Sequence, residues 1–186
     1  MIITIAGTLG SGKSTVAKIL SKELGYKHYS TGNYMREMAR KRGLTLMELT
    51  KIAETDESID KELDMYQKRL GETEDNFIID ARLAFHFILH SFKVYLKSSE
   101  EVSTQRIYKS MKNDSSRFDE GLVHHPEKIL ASMRKRRKSE DERYKKYYGV
   151  NQEDESHYNI VIDTSNIAPE ETAKLILNQI KQVKQP

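Results

Sequence analysis

Gly7-Thr8-Leu9-Gly10-Ser11-Gly12-Lys13-Ser14 is the stretch on which the fold turns. It matches G-x-x-x-x-G-K-[ST] at every fixed position, a pattern whose backbone N–H groups cradle phosphates. Its surroundings carry as much information as the pattern. Residues 1–6 form an apolar, isoleucine-rich run that stops at Gly7 and reads as a buried strand. Residues 14–24 place Val16, Ala17, Ile19, Leu20 and Leu24 at helical spacing, and Gly25 ends them. A strand, a glycine-rich turn and a helix N-terminus in that order aim successive N–H groups and the positive end of a helix dipole at one point. Lys13 then reaches the β- and γ-phosphates, Ser14 supplies a hydroxyl to Mg2+, and Thr15 adds a hydroxyl near the α-phosphate. The expected ATP-binding set is Gly7, Thr8, Leu9, Gly10, Ser11, Gly12, Lys13, Ser14 and Thr15.

Outward from this loop the chain alternates strand and helix. Strands are expected at 27–30, 77–80, 92–96 and 159–163. Helices are expected at 33–42, 46–53, 58–70, 100–111, 127–148 and 169–183, the last with Pro169 in its first turn. The polar stretches 71–76 and 112–126 read as connections. Such alternation predicts an α/β fold: a five-stranded parallel sheet sandwiched by helices.

The chain has 186 residues, which predicts a single P-loop kinase domain over 1–186. A net charge of +3 is too small for a nucleic-acid coat protein. The chain has no cysteine, which excludes disulfides and thiolate metal sites and fits a reducing compartment. The apolar start lacks a basic n-region, and the apolar stretch 84–89 is interrupted by His86, so neither a signal peptide nor a membrane span is expected. These features point to a cytoplasmic protein. No N-K-x-D motif is present, which argues against a GTPase switch, and the length is short for a motor ATPase. A small-molecule kinase is the expected class.

A kinase must also hold an acceptor in line with the γ-phosphate. An acceptor that is itself a phosphate needs no general base, but it needs guanidinium groups that grip its oxygens. Ser30-Thr31-Gly32 with Arg36 one turn later suits a phosphate or ribose contact, and equally an ordinary helix cap. Asp80-Ala81-Arg82 stands at the carboxyl end of a strand, where open α/β sheets bind ligands. Asp80 is expected to hold the metal through water, and Arg82 the acceptor phosphate. The run 134–138 reads as a solvated helix face or a nucleic-acid patch. Within and after it, Arg136, Glu140 and Arg143 share one helical face, so Glu140 can orient either arginine over the transferring group. Arg106 is read either as a cover for the adenine or ATP phosphates or as a surface arginine. His124 and His125 read as solvent-exposed and not as metal ligands.

Taken together, these motifs resemble the compact cytidylate kinases of archaeal type, in the nucleoside monophosphate kinase group. Besides the P-loop, the resemblance rests on residues 30–32 with 36–39, on 60–64 with Gln67, on Asp80-Ala81-Arg82-Leu83-Ala84, on Arg137, Ser139 and Glu140, on Arg143-Tyr144 and Tyr148-Gly149, and on 161–165. It implies a P-loop core with an acceptor-binding segment near 33–70 and a lid near 106–148, acting as a monomer. It also implies ATP with Mg2+ as donor and CMP or dCMP as acceptor, with no nucleic-acid or membrane partner. By resemblance, Thr31, Gly32, Arg36, Arg82, Arg136, Glu140 and Arg143 bind the acceptor. Lys13, Arg82, Arg136 and Arg143 stabilise the transferring charge, Arg106 joins the ATP site, and Ser14 and Asp80 serve the metal. Two departures stand out. The family often carries Glu-Gly where this chain has Asp80-Ala81, and bacterial members carry a cytosine-reading Asp where this chain has Leu83. Base selectivity must therefore come from elsewhere. The competing expectations are another acceptor (AMP, UMP or dephospho-coenzyme A), a shikimate-type hydroxyl kinase, or a non-catalytic nucleotide-binding module. The hydroxyl kinase should show Asp-x-Asp where this chain has Ser30-Thr31-Gly32.

Overall fold

An isoleucine-rich strand that is apolar at nearly every position has to be covered on both faces. In the computed structural model, which describes residues 1–113 and 125–184, this strand is β1 (Ile2–Gly7), buried at all six positions. It lies at the centre of a five-stranded parallel sheet of order β2-β3-β1-β4-β5. Its companions are β2 (Lys27–Ser30), β3 (Phe77–Asp80), β4 (Phe92–Lys97) and β5 (Ile160–Asp163). The helices are α1 (Lys13–Leu24), α2 (Thr31–Lys41), α3 (Leu46–Ala53), α4 (Glu57–Thr73), α5 (Ala84–Phe87), α6 (Glu100–Asn113), α7 (Pro126–Tyr148) and α8 (Pro169–Lys184).

The two-residue period of β1 separates two cores. Ile3 and Ile5 pack against Val16, Ala17 and Leu20 of α1 and Ala173, Ile176 and Ile180 of α8. Ile2 packs on the opposite face with Leu70 of α4, Ala84 and Ile88. Each isoleucine or leucine buried in this way contributes roughly 2 kcal/mol. A third cluster ties α2, α3 and α4 together through Met38, Leu49, Ala53, Ile59 and Leu63. A fourth docks Tyr144 of α7 against Ala6, Leu83, Phe85 and Tyr95.

Helix ends follow local chemistry, and they account for the differences from the sequence expectation. Helix α2 begins at Thr31, two residues earlier than expected, because the Ser30 hydroxyl accepts the Asn33 N–H as its N-cap. A capping box between Thr45 and Glu48 starts α3 at the expected residue. Helix α4 runs to Thr73, through the stretch read as a connection, because Gly71 brings the helix against Ile88. A Cβ there would meet the Ile88 side chain at 2.9 Å. Pro126, assigned to the preceding loop, instead opens α7 at its first helical position. The short α5 was not foreseen; it lies within the apolar stretch 84–89. Most of the loop expected at 112–126, and His124 with it, lies outside the described residues; His125 is exposed at the N-cap of α7.

Because all five strands are parallel, their carboxyl ends share one edge. The register pairs Ser30 with Asp80, Asp80 with Ile5, and Gly7 with Leu96. The ends of β2 and β3 therefore lie beside the loop that leaves β1. Among the described residues, no helix is long and apolar enough to cross a membrane.

Candidate active site

The loop leaving β1 is clamped from below. Gly7 has φ +145°, and a Cβ there would stand 1.9 Å from the Leu96 carbonyl oxygen, so only glycine fits. The next residue repeats the attachment: Thr8 N–H donates to Leu96 O at 3.0 Å, and its hydroxyl accepts the Ser98 N–H at 3.2 Å. Gly10, at φ +76°, lies against the Ser103 backbone, where a Cβ would meet Cα at 2.8 Å. The Ser11 hydroxyl closes the turn onto Thr8 O at 2.9 Å.

Above the loop opens a cavity of about 440 Å³, within the range of small-molecule sites. Leu9, Gly10, Ser11, Gly12, Lys13, Ser14 and Thr15 line it, together with Thr31, Gly32, Arg36, Asp80, Arg82, Arg106, Arg136 and Glu140. The structure thus brings most of the expected site residues to one cleft. Three do not line it. Gly7 and Thr8 lie beneath the loop and line a smaller cavity of about 50 Å³. Arg143 lies behind the lining residue Asp60: its Nε donates to Asp60 Oδ2 at 2.9 Å and its Nη1 to the Ser139 hydroxyl at 2.8 Å.

The ion pairs correct the expected pairing within α7. Glu140 orients Arg136 at 2.8 Å, as its spacing predicts, but its second partner is Arg82, also at 2.8 Å, and not Arg143. Arg82 further donates to Gly7 O at 2.6 Å, which links β3, α7 and the loop. Burial alone would raise the Glu140 pKa, but the charges of Arg82 and Arg136 outweigh it and hold it at about 2. Glu140 therefore stays ionised at neutral pH and keeps both guanidinium groups aimed.

Lys13 donates to Gly7 O at 2.9 Å and to Thr8 O at 2.6 Å. Burial and then the Arg82 charge hold its pKa well below that of an ordinary lysine. The nearby carboxylates of Asp80 and Glu140 offset this only in part. Asp80 lies on the other side. Burial pushes its pKa up, but hydrogen bonds from His28, Ser30 and Ser14 overcome this and leave it below the usual aspartate range. The His28 contact, Nε2 to Oδ2 at 3.1 Å, was not foreseen. Ser14 and Asp80 are therefore adjacent hard oxygen donors, the chemistry that suits Mg2+. Among the described residues no group of three or more His, Cys, Asp and Glu side chains could form an all-protein metal cage. Two donors fit a metal that takes its other oxygens from phosphates and water. Arg106 donates to the Thr164 hydroxyl at 3.0 Å and to Thr164 O at 2.6 Å, which fixes it in the cleft wall and not on the surface.

The basic run of α7 carries its own counter-charges. Arg134 pairs with Glu100, Arg137 with Glu153 and Asp141, and Lys138 with Glu142. These exposed pairs contribute little stability, but they offset much of the positive charge that suggested a nucleic-acid patch.

Asp60, Asp64 and Gln67 also line the cleft, one below the other along α4. The sequence signal was a polar stripe at i, i+4 and i+7 on a helix whose neighbouring Ile59, Leu63 and Leu70 are core. Asp64 accepts the Tyr148 hydroxyl at 2.5 Å, and burial, only partly offset by that bond, pushes its pKa to about 6. A raised carboxyl pKa means that the folded state binds more protons, so stability falls as pH rises from the ordinary aspartate value to about 6. Asp64→Asn, which still accepts the Tyr148 bond but cannot ionise, is expected to stabilise the fold near pH 8 by on the order of 2 kcal/mol. Near pH 4 it should give almost no gain; thermal melts at the two pH values decide, and an equal shift at both would contradict the assignment.

A parallel β2-β3-β1-β4-β5 sheet with a clamped G-x-x-x-x-G-K-S loop and a cleft at its carboxyl edge defines a P-loop kinase fold. A solved shikimate kinase from Acinetobacter baumannii in complex with shikimate shares that fold with a TM-score of 0.64, at 21% identity over 100% of this chain and 95% of that one. The chain belongs to the cytidylate kinase-like family, whose model matches residues 2–166, and so to the nucleoside monophosphate kinases. It is 40% identical to a cytidylate kinase of Sulfurisphaera tokodaii over 95% of this chain and 93% of that protein. It is also 32% identical, over 97% of its length, to a part making up 36% of an S-adenosylmethionine-dependent nucleotide dehydratase of Lacinutrix mariniflava.

Proposed function

We propose that this protein transfers the γ-phosphoryl group of ATP to CMP or dCMP, giving ADP and the corresponding diphosphate. The observation that carries the reading is the single cleft in which the phosphate loop and Arg36, Arg82 and Arg136 meet. Guanidinium groups are what an anionic acceptor oxygen requires. The donor's phosphates lie in the loop from Leu9 to Thr15 with the α1 N-terminus behind them. Lys13 exchanges its bonds to Gly7 and Thr8 for phosphate oxygens. Ser14 and, through water, Asp80 would hold Mg2+, which would supply charge neutralisation for the phosphates. Arg82 and Arg136, both oriented by Glu140, stabilise charge on the moving phosphoryl group and hold the acceptor phosphate. Thr31, Gly32 and Arg36, at the start of α2, close the acceptor side, and Arg106 closes the nucleotide side. Arg143, tied to Asp60, braces α7 against α4 and acts on the acceptor through that brace.

A hydroxyl acceptor of the shikimate type is disfavoured because the end of β2 offers Ser30, Thr31 and Gly32 where such a kinase should show Asp-x-Asp. The test is an acceptor panel of CMP, dCMP, UMP, AMP, GMP, shikimate and dephospho-coenzyme A, each with ATP and Mg2+, following ADP release. Cytidine monophosphates are expected to lead. Preference for another monophosphate would keep the mechanism and overturn the acceptor.

A further inference from the structure

Gln67 is 3% exposed, yet it lines the cleft. Its Nε2 donates to Leu63 O at 3.2 Å, one turn earlier in α4. A carbonyl can only accept, so this bond fixes the amide with nitrogen toward Leu63 and leaves Oε1 as the other pole. Among the described residues, Gln67 Oε1 is the one buried side-chain polar atom with no hydrogen-bond partner. A buried carbonyl without a donor is costly unless a ligand supplies one. The groups beside it are acceptors too: Asp64 and Asp60 stand one and two turns back along the same stripe. Each has one carboxylate oxygen committed, Asp64 Oδ2 to Tyr148 and Asp60 Oδ2 to Arg143. Leu63 and Met35 provide apolar lining at this end of the cleft.

We propose that Gln67 Oε1 accepts a hydrogen bond from the exocyclic amine of the acceptor base, and that this contact selects cytosine over uracil. The inference rests on the reading that the cleft takes a nucleoside monophosphate. Cytosine presents an N4 amine, a donor, where uracil presents O4, an acceptor. The amine satisfies the orphan carbonyl, whereas O4 would set two acceptors against each other and leave both unpaired. The acid stripe reinforces the discrimination, since ionised carboxylates also only accept. This supplies a base-reading element although Leu83 occupies the position after Arg82.

The test compares kcat/KM for CMP and UMP, with saturating ATP and Mg2+, in the wild type, Gln67→Met and Gln67→Glu. Gln67→Met keeps the length and loses the acceptor; it is expected to lower the CMP-to-UMP ratio about 10- to 100-fold, mainly through CMP, with the KM for ATP unchanged. Gln67→Glu keeps an acceptor oxygen but loses the bond to Leu63 O, so it should retain the preference for CMP at a lower overall kcat/KM. A second probe is the 4-deamino analogue of CMP, which lacks only the amine. The wild type should use it about 10- to 100-fold less well than CMP, and Gln67→Met should not distinguish the two. An unchanged CMP-to-UMP ratio in Gln67→Met overturns the inference while the kinase reading stands. If Gln67→Met does not fold, equal use of CMP and its deamino analogue by the wild type overturns it. Failure of the wild type to phosphorylate any monophosphate overturns the kinase reading itself, and the inference with it.

Discussion

Replacing Lys13 with alanine is expected to lower kcat by about 10²- to 10³-fold or more while the melting temperature stays within a few degrees of wild type. The asymmetry follows from where the charge sits. In the fold, Lys13 Nζ rests on the Gly7 and Thr8 carbonyls, and burial together with Arg82 disfavours its charged form. The folded protein therefore gains little from this ammonium. On the proposed role, its value appears only when phosphate oxygens replace the carbonyls and charge develops on the transferring group, which is differential stabilisation of the transition state. Parallel turnover and melting measurements check the prediction. Near-normal turnover in the variant would remove the loop from the mechanism, and a collapse of the fold would show the lysine to be structural.

Arg82→Ala is the second large effect, and it acts on both stability and turnover. Arg82 donates at once to Glu140 and to Gly7 O, and its side chain is 15% exposed. Its removal leaves Glu140, 4% exposed, with Arg136 as its remaining guanidinium partner. Breaking one side of a buried ion pair costs about 3–5 kcal/mol. On the proposed roles, kcat/KM for the monophosphate should fall about 10²- to 10³-fold while ATP affinity changes much less. The double variant Arg82→Ala/Glu140→Gln separates the two losses. With no buried carboxylate left short of one of its two guanidinium partners, it should regain part of the stability, but it should not regain use of the acceptor. Restored acceptor use in the double variant, or an unchanged acceptor dependence in the single one, would take Arg82 out of the site.

The parts of this molecule written locally were legible in the sequence. The P-loop, the five strands and the boundaries of α3 depend on short patterns: an apolar run, glycines at fixed positions, a capping box between Thr45 and Glu48. The site residues carried on those patterns, from Leu9 to Thr15 and at Asp80 and Arg82, met in one cleft as their strand-end positions imply. What was not legible was which charge meets which. Arg82 and Glu140 are 58 residues apart, Arg143 and Asp60 are 83 apart, and Tyr148 and Asp64 are 84 apart. Helical spacing on α7 correctly grouped Arg136 with Glu140 but gave no means of telling that a strand-end arginine would outcompete Arg143 for the same carboxylate. The stripe of Asp60, Asp64 and Gln67 was visible as a pattern. Its place in the cleft depends on how α4 packs against the sheet through Leu70 and Ile88, a long-range fact. Gly71 was read as the start of a connection with the polar stretch that follows it, although glycine is only poor, not forbidden, inside a helix. Here it is kept by contact with Ile88.

The most direct test of the central claim is to follow the phosphoryl group itself. The protein is incubated with ATP labelled at the γ-phosphate, Mg2+ and CMP, and the nucleotides are separated. The account predicts that the label moves into the β-position of CDP in step with ADP formation, and that the transfer is lost in Lys13→Ala. Bound ATP with no label in CDP or in any other nucleoside diphosphate offered as acceptor product, or label released only as inorganic phosphate, would contradict it.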